Sequence, residues 1–217
     1  MENFAAAREH MIDGQLKPNQ VTAPRVLDAI RAVPRESFVP KALRGVAYVD
    51  EDIEVAPGRF LLEPMVFSRL LQEARISDSD VVLDIGCATG YSSAVLAELA
   101  AAVTAIEEVP ELADEAEARL AELECGNVAV VRSAFAEGSG DHAPFDVIFI
   151  NGAVEEIGQA LFDQLAEGGR LVCVYDVRGV GKASIFIKEG GVVGRRELFD
   201  ANVPYLPGFA KKPSFVF

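Results

Sequence analysis

Between residues 81 and 175 the chain repeats one alternation: short unbroken runs of Val, Ile and Leu, then longer stretches with apolar residues at helical spacing. The runs fall near 81–85, 102–107, 127–132, 145–150 and 170–175, and the helical stretches near 91–100, 110–123 and 155–166. Strands without polar alternation are buried on both faces, so the pattern predicts a parallel sheet with helices on each side. Beyond it, 183–188 and 192–199 flank Gly190-Gly191 and predict an antiparallel hairpin at the sheet edge. Ser214 to Phe217 could add a last short strand.

The first 78 residues follow a different pattern, and we expect them to be an N-terminal extension on the acceptor side of a core spanning 79–217. Phe4, Ala7, Met11, Ile12 and Leu16 predict an amphipathic helix over 4–17. A second helix is expected from Thr22, as its N-cap, with Pro24 in the first turn and Val26, Leu27 and Ile30 on its buried face. Pro34 and Pro40 bound a short helical turn, and Ala47 to Asp50 a loop. Alternation on both sides of Pro57-Gly58 predicts a small hairpin over 53–61, and Pro64 opens a helix burying Met65, Val66, Leu70 and Leu71.

The chemistry is concentrated in Leu83-Asp84-Ile85-Gly86-Cys87-Ala88-Thr89-Gly90-Tyr91, a buried strand, a small-residue turn and a helix start. Gly86 permits a tight turn and close approach of a ligand, and Gly90 lets the helix open with free N–H groups. Cys87 and Ala88 would offer backbone only. The next strand ends in Glu107-Glu108, and an acid at the carboxyl end of a second strand can accept both ribose hydroxyls of an adenosine-bearing ligand. Glu107 is therefore the expected ribose ligand. The whole is an α/β fold, doubly wound, with a mostly parallel, seven-stranded, Rossmann-like sheet.

Charge narrows the partners. Thirty-four acidic against 20 basic residues give a net charge of −14, which argues against nucleic acid and anionic membrane surfaces. No run of 18 apolar residues and no basic signal-like start are seen, so a cytoplasmic protein is expected. Cys87, Cys125 and Cys173 lack the spacing of a disulfide framework or a zinc site, and no metal is expected. The acidic run from Glu107 to Glu124 is expected to be a solvated helix face. His142 precedes Ala143-Pro144 in a surface loop, while His10 could serve as a base if the substrate were a phenol or amine.

Six ordered segments carry a resemblance. They are Met11-Ile12-x-x-Gln15-Leu16; Val33-Pro34-Arg35-Glu36-x-Phe38-Val39-Pro40; Ala47-Tyr48-x-Asp50; Leu83 to Tyr91; Ala143-Pro144-Phe145-Asp146-x-Ile148; and Gln164-Leu165-x-x-Gly168-Gly169-Arg170-Leu171-Val172. Together they resemble the protein-L-isoaspartate O-methyltransferase family, within the class I S-adenosylmethionine-dependent methyltransferases. The resemblance implies S-adenosylmethionine as cofactor and methyl transfer to a carboxylate of damaged protein.

It also implies site residues, some of which depart from the family. Asp84, Gly86, Cys87, Ala88, Gly90, Tyr91 and Glu107 would meet the cofactor. The family's Gly-Asp-Gly, whose acid meets the adenine amine, falls on Ser133-Ala134-Phe135, which leaves Ala134 and the ring of Phe135 for the purine. The family's Gly-Gln-Thr-Ile-Ser-Gln-Pro, with hydroxyls for the isoaspartyl group, falls on Gly58-Arg59-Phe60-Leu61-Leu62-Glu63-Pro64. Thr is thus Phe60 and Ser is Leu62. Arg59 could clamp a carboxylate in their stead. Asn151, after the fourth strand, either faces the reacting atoms or caps a helix. The acceptor is then a protein or a small molecule, with two alternatives to isoaspartyl transfer: a more apolar acceptor, or a non-catalytic cofactor- or partner-binding protein.

Overall fold

The computed structural model describes residues 3–210. The expected last strand at Ser214–Phe217 lies outside them. Two sheets form. A small hairpin pairs β1 (Ile53–Ala56) with β2 (Arg59–Leu61), and the main sheet has seven strands in the order β5-β4-β3-β6-β7-β8-β9. These are β3 (Val81–Ile85), β4 (Ala102–Ile106), β5 (Val128–Val131), β6 (Phe145–Val154), β7 (Leu165–Asp176), β8 (Gly181–Glu189) and β9 (Val192–Asp200). Strands β3 to β7 run parallel, while β8 and β9 are antiparallel and turn at Gly190-Gly191, both at positive φ.

Alternation along β3, β4, β6 and β7 feeds two cores. Val82, Val103, Ala105, Val147, Phe149, Val172 and Val174 face one, with Ile12, Leu16, Ile30, Phe67 and Leu70 from the N-terminal segments. Leu83, Ile85, Ile106, Ile148, Ile150, Leu171 and Cys173 face the other, with Phe135, Leu161, Leu206 and Phe209. Burial on both sides is why these strands carry no polar period.

The first helix, α1 (Phe4–Met11), passes without a break into a wider π-type turn over Ile12–Leu16, so the helix expected over 4–17 is present with its last turn widened. In α2 (Pro24–Ala32) Pro24 holds the first turn as expected, but the N-cap is Ala23, not Thr22. The backbone N–H groups of Thr22 and Ala23 both donate to Gln72 Oε1, at 2.7 and 3.0 Å, so a side chain of α3 (Pro64–Ala74) fixes this start. Helices α4 (Tyr91–Ala97) and α5 (Pro110–Glu122) follow prediction with shorter ends.

The helix expected over 155–166 is only α6 (Gln159–Asp163). The N–H groups of Glu155 and Glu156 donate instead to Phe209 O, at 3.1 and 3.2 Å. The N–H of Ala153 goes to Pro204 O at 2.9 Å, and Leu206 N–H returns to Ala153 O at 2.9 Å. The segment after β9 therefore holds β6 extended to Val154 and delays the helix. Among the described residues no helix is long and apolar enough to cross a membrane.

Carboxylates from the preceding loop cap α3. Asp52 Oδ1 accepts from Glu63 N–H at 2.8 Å and Asp50 Oδ1 from Met65 N–H at 3.0 Å. This crowds acids around Glu63, whose pKa rises from 4.5 to about 7 through burial first and then through Asp52, Asp50 and Glu51. The folded state therefore holds the Glu63 proton over a window where the unfolded chain has lost it. Glu63 stabilises least as pH rises past 7. We expect Glu63→Gln to raise the melting temperature over the parent more at pH ~8 than at pH ~5. An equal gain at both would contradict the crowding.

Candidate functional site

The loop after β3 turns as its small residues require. Gly86 has φ +76°, Ala88 +50° and Gly90 +95°, and Gly90 N–H closes the turn on Cys87 O at 2.8 Å. At Gly90 an added Cβ would stand 3.3 Å from Ala116 Cβ, so this glycine also lets α4 and α5 approach. Thr89 Oγ1 donates to Phe38 O at 2.6 Å and ties the loop to the turn at Arg35–Phe38.

Asp84 is fully buried and accepts from Ser92 and Ser93 hydroxyls at 2.7 and 2.6 Å and from Asn151 Nδ2 at 2.7 Å. Burial pushes its pKa up from the ordinary value, and the Ser93, Ser92 and Asn151 hydrogen bonds oppose that rise. Asn151 also donates to Ile85 O at 3.0 Å. It sits within β6 and caps no helix, so of the two expected roles the helix cap is corrected. Its amide N–H groups orient Asp84 and the end of β3.

Glu107 has no exposed surface, and its carboxylate is fully engaged. Oε1 accepts from Arg59 Nε at 3.0 Å, Glu108 N–H at 3.0 Å and Val109 N–H at 3.1 Å, while Oε2 accepts from Ala88 N–H at 3.1 Å. Three of these four donors crowd onto Oε1, and one reaches Oε2. Arg59 is itself buried, with its guanidinium 4.9 Å above the Phe135 ring and Nη2 3.7 Å from Glu108. The clamp expected for an acceptor carboxylate thus closes on Glu107, a carboxylate of the chain itself.

The remaining expected residues divide. Leu62, Gly86, Cys87, Tyr91 and Asn151 line one void with Arg35, Phe60 and Phe67, of about 10 Å³, room for about one water. The ring of Tyr91 packs against Phe38 at 5.7 Å and Phe67 at 5.5 Å, with Arg35 4.9 Å above it, so its side chain serves the core. Leu62 is buried, and its carbonyl accepts from Arg35 Nη2 at 2.8 Å. Burial and the charges of Asp84 and Glu107 push the Cys87 thiol well above its ordinary pKa, so it is no nucleophile. Phe135 is fully buried beside the site, whereas Ala134 is exposed. His10 is exposed and lines a separate hollow with Phe4, Met11 and Tyr48, away from this loop. No group of His, Cys, Asp or Glu among the described residues could hold a metal ion.

Sequence reasoning missed Leu206. A Cβ built on Gly86 would lie 2.7 Å from Leu206 Cδ1, and one on Gly152 would lie 2.9 Å from Leu206 Cβ. The available signal was Val203-Pro204-Tyr205-Leu206-Pro207-Gly208-Phe209, a run too apolar for a solvated tail. We expect Asn151→Ala to cost about 1–3 kcal/mol in urea unfolding, because it leaves a buried Asp84 oxygen without its donor. A loss below about 0.5 kcal/mol would mean that Ser92 and Ser93 alone hold the carboxylate.

The family model of protein-L-isoaspartate(D-aspartate) O-methyltransferase matches residues 6–207. The protein-L-isoaspartate O-methyltransferase of Koribacter versatilis is 38% identical over 208 residues, covering 96% of this chain and 94% of the relative. That of Gloeobacter violaceus is 42% identical over 162 residues, covering 75% and 79%. Among solved structures, a Plasmodium falciparum beta-aspartate methyltransferase in complex with S-adenosyl-L-homocysteine has a TM-score of 0.80 at 18% identity, covering 95% of this chain and 99% of the other, and shares the fold. The chain belongs to the protein-L-isoaspartate(D-aspartate) O-methyltransferase family.

Proposed function

We propose that this chain is an S-adenosylmethionine-dependent methyltransferase resembling protein-L-isoaspartate O-methyltransferase, with a carboxylate of damaged protein as acceptor. One observation carries the reading. Asp84, Gly86 and Glu107 converge at the carboxyl ends of β3 and β4, where a doubly wound sheet binds ligands, in a chain matched by the family over residues 6–207. We infer a cytoplasmic working place, a reading supported by three free cysteines.

The residues fit the cofactor in kind. Glu107 is the acid for the ribose hydroxyls, Gly86 has no side chain of its own to bar a ligand, and Phe135 offers a ring for the purine. S-adenosylmethionine supplies an electrophilic methyl on a sulfonium. A carboxylate acceptor is already ionised and needs no base, which agrees with a void whose described lining has no histidine or lysine. The chain's part is then to hold the acceptor in line and to keep water out, with Arg35, Leu62, Tyr91 and Asn151 as the dry wall.

A second reading rests on that same wall. Phe60 and Leu62 present apolar surface where the family carries hydroxyls, and a carboxylate desolvated there without donors is disfavoured. This favours a more apolar acceptor over an isoaspartyl group. We expect slow transfer of labelled methyl to an isoaspartyl peptide by the native chain, and faster transfer, by roughly tenfold or more, after Phe60→Thr with Leu62→Ser, each hydroxyl restoring a hydrogen bond to a charged group. Fast isoaspartyl methylation by the native chain would overturn the second reading. The absence of cofactor binding by every variant would overturn the first and leave a partner-binding protein.

Glu107 also carries stability. Its removal by Glu107→Ala leaves buried Arg59 with only the longer 3.7 Å contact to Glu108 as countercharge, so we expect a loss of about 3–5 kcal/mol in denaturant unfolding. A near-neutral change would show that solvent or Glu108 meets the Arg59 charge in its place.

A further inference from the structure

The void beside Gly86 is walled by one charge that no anion meets. Arg35 lines it and is 1% exposed. Its guanidinium spends Nε on Ala47 O at 2.7 Å and Nη2 on Leu62 O at 2.8 Å, while Nη1 has no hydrogen-bond partner. Both partners are neutral carbonyls. Buried Arg59 has the Glu107 carboxylate, but Arg35 forms no ion pair among the described residues. Burial pulls the Arg35 pKa below its ordinary value, against the opposing influence of Tyr91, Tyr48 and Asp52. A buried cation with an unused N–H is costly until an anion meets it.

Two other donors of the lining are already spent. Asn151 Nδ2 gives to Asp84 and to Ile85 O, and the Ser92 hydroxyl gives to Asp84, so Arg35 Nη1 is the charged donor of the lining that remains free. The rest of the wall is largely apolar, with Phe60, Leu61, Leu62 and Phe67. Phe60 alone of the lining is not buried, so the void comes nearest the surface beside its ring. The void itself, about 10 Å³, has the room of a single oxygen atom.

We propose that Arg35 binds the carboxylate of the methyl acceptor, and that this acceptor is a carboxylic acid carried on an apolar body that lies against Phe60 and Leu62. The inference rests on the transferase reading above and joins its two acceptors, since the nucleophile stays a carboxylate while the group bearing it is apolar. One oxygen of the acid enters the void and accepts from Nη1, a charge-assisted bond that suits a guanidinium. The body beyond it meets side chains that need no hydrogen bond. Arg35 gives up no proton, because methylation at the carboxylate oxygen forms an O–CH3 bond as the S–CH3 bond breaks and leaves its electron pair on sulfur. The ester so formed is uncharged, so Arg35 holds it less tightly than the acid.

The test is calorimetry on the full chain, alone and saturated with S-adenosyl-L-homocysteine, with 3-phenylpropionate, its amide and its methyl ester as probes. The acid should bind roughly tenfold or more tighter than either neutral probe. Nitrogen-15 NMR of the native protein should show the Arg35 guanidinium resonances shifted by the acid and unmoved by the amide, a readout that does not depend on a variant that folds. Arg35→Gln, checked for its fold by circular dichroism, should bring the acid down to the affinity of the amide. No binding of the acid, equal affinity for acid and amide, or a preference for the acid with the Arg35 resonances unmoved overturns the proposal. Acid binding at Arg35 by a protein that takes up no S-adenosyl-L-homocysteine keeps the carboxylate site and overturns the transferase reading instead.

Discussion

The buried pair of Arg59 and Glu107 is the constraint on which the site depends. Glu107 sits at the end of a central parallel strand with no exposed surface, so its charge has to be met inside the protein. Three backbone N–H groups meet part of it, and these orient the loop at Ala88 and the start of the segment leading to α5. Arg59 supplies the countercharge and is itself desolvated over Phe135. Breaking such a pair from one side costs about 3–5 kcal/mol, because the other charge is left buried. The hairpin, the cradle loop and the second core are therefore coupled through one contact.

That coupling separates what the chain shares with its family from what it has changed. The framework for a nucleoside is present: the glycine turn, the buried Asp84 held by two serines and an asparagine, and an acid ending the next strand. The groups that would face the ligand have turned inward. Arg59 brings the countercharge onto Glu107 Oε1. Phe60 and Leu62 line the remaining void, which has room for about one water.

Strands and cradle were legible because their physics is local. A strand buried on both faces has to be apolar throughout, so Val81–Ile85 and Ala102–Ile106 announced themselves, and a turn at positive φ has to be small, so Gly86 and Gly90 did too. Arg59 was legible as a carboxylate clamp but not in its partner, because Glu107 lies 48 residues away and only the fold brings them together. The segment after β9 was not legible at all. Its grip on β6 comes from backbone bonds of Ala153, Glu155 and Glu156, which leave no side-chain period, and those same bonds shortened the helix that periodicity placed at 155–166. Thr22 was displaced as a cap for a similar reason, by Gln72 from another helix.

The most direct test is nitrogen-15 NMR of the Arg59 side chain. With the pair closed, Arg59 Nε–H should give a slowly exchanging resonance in the free protein, since it is buried and donates to Glu107 at 3.0 Å. Saturation with S-adenosyl-L-homocysteine should shift that resonance and speed its exchange as ribose hydroxyls replace the guanidinium on Glu107. Saturable binding with the Arg59 Nε–H signal unmoved and still protected would contradict the account, because the ligand would then sit on this fold without using Glu107.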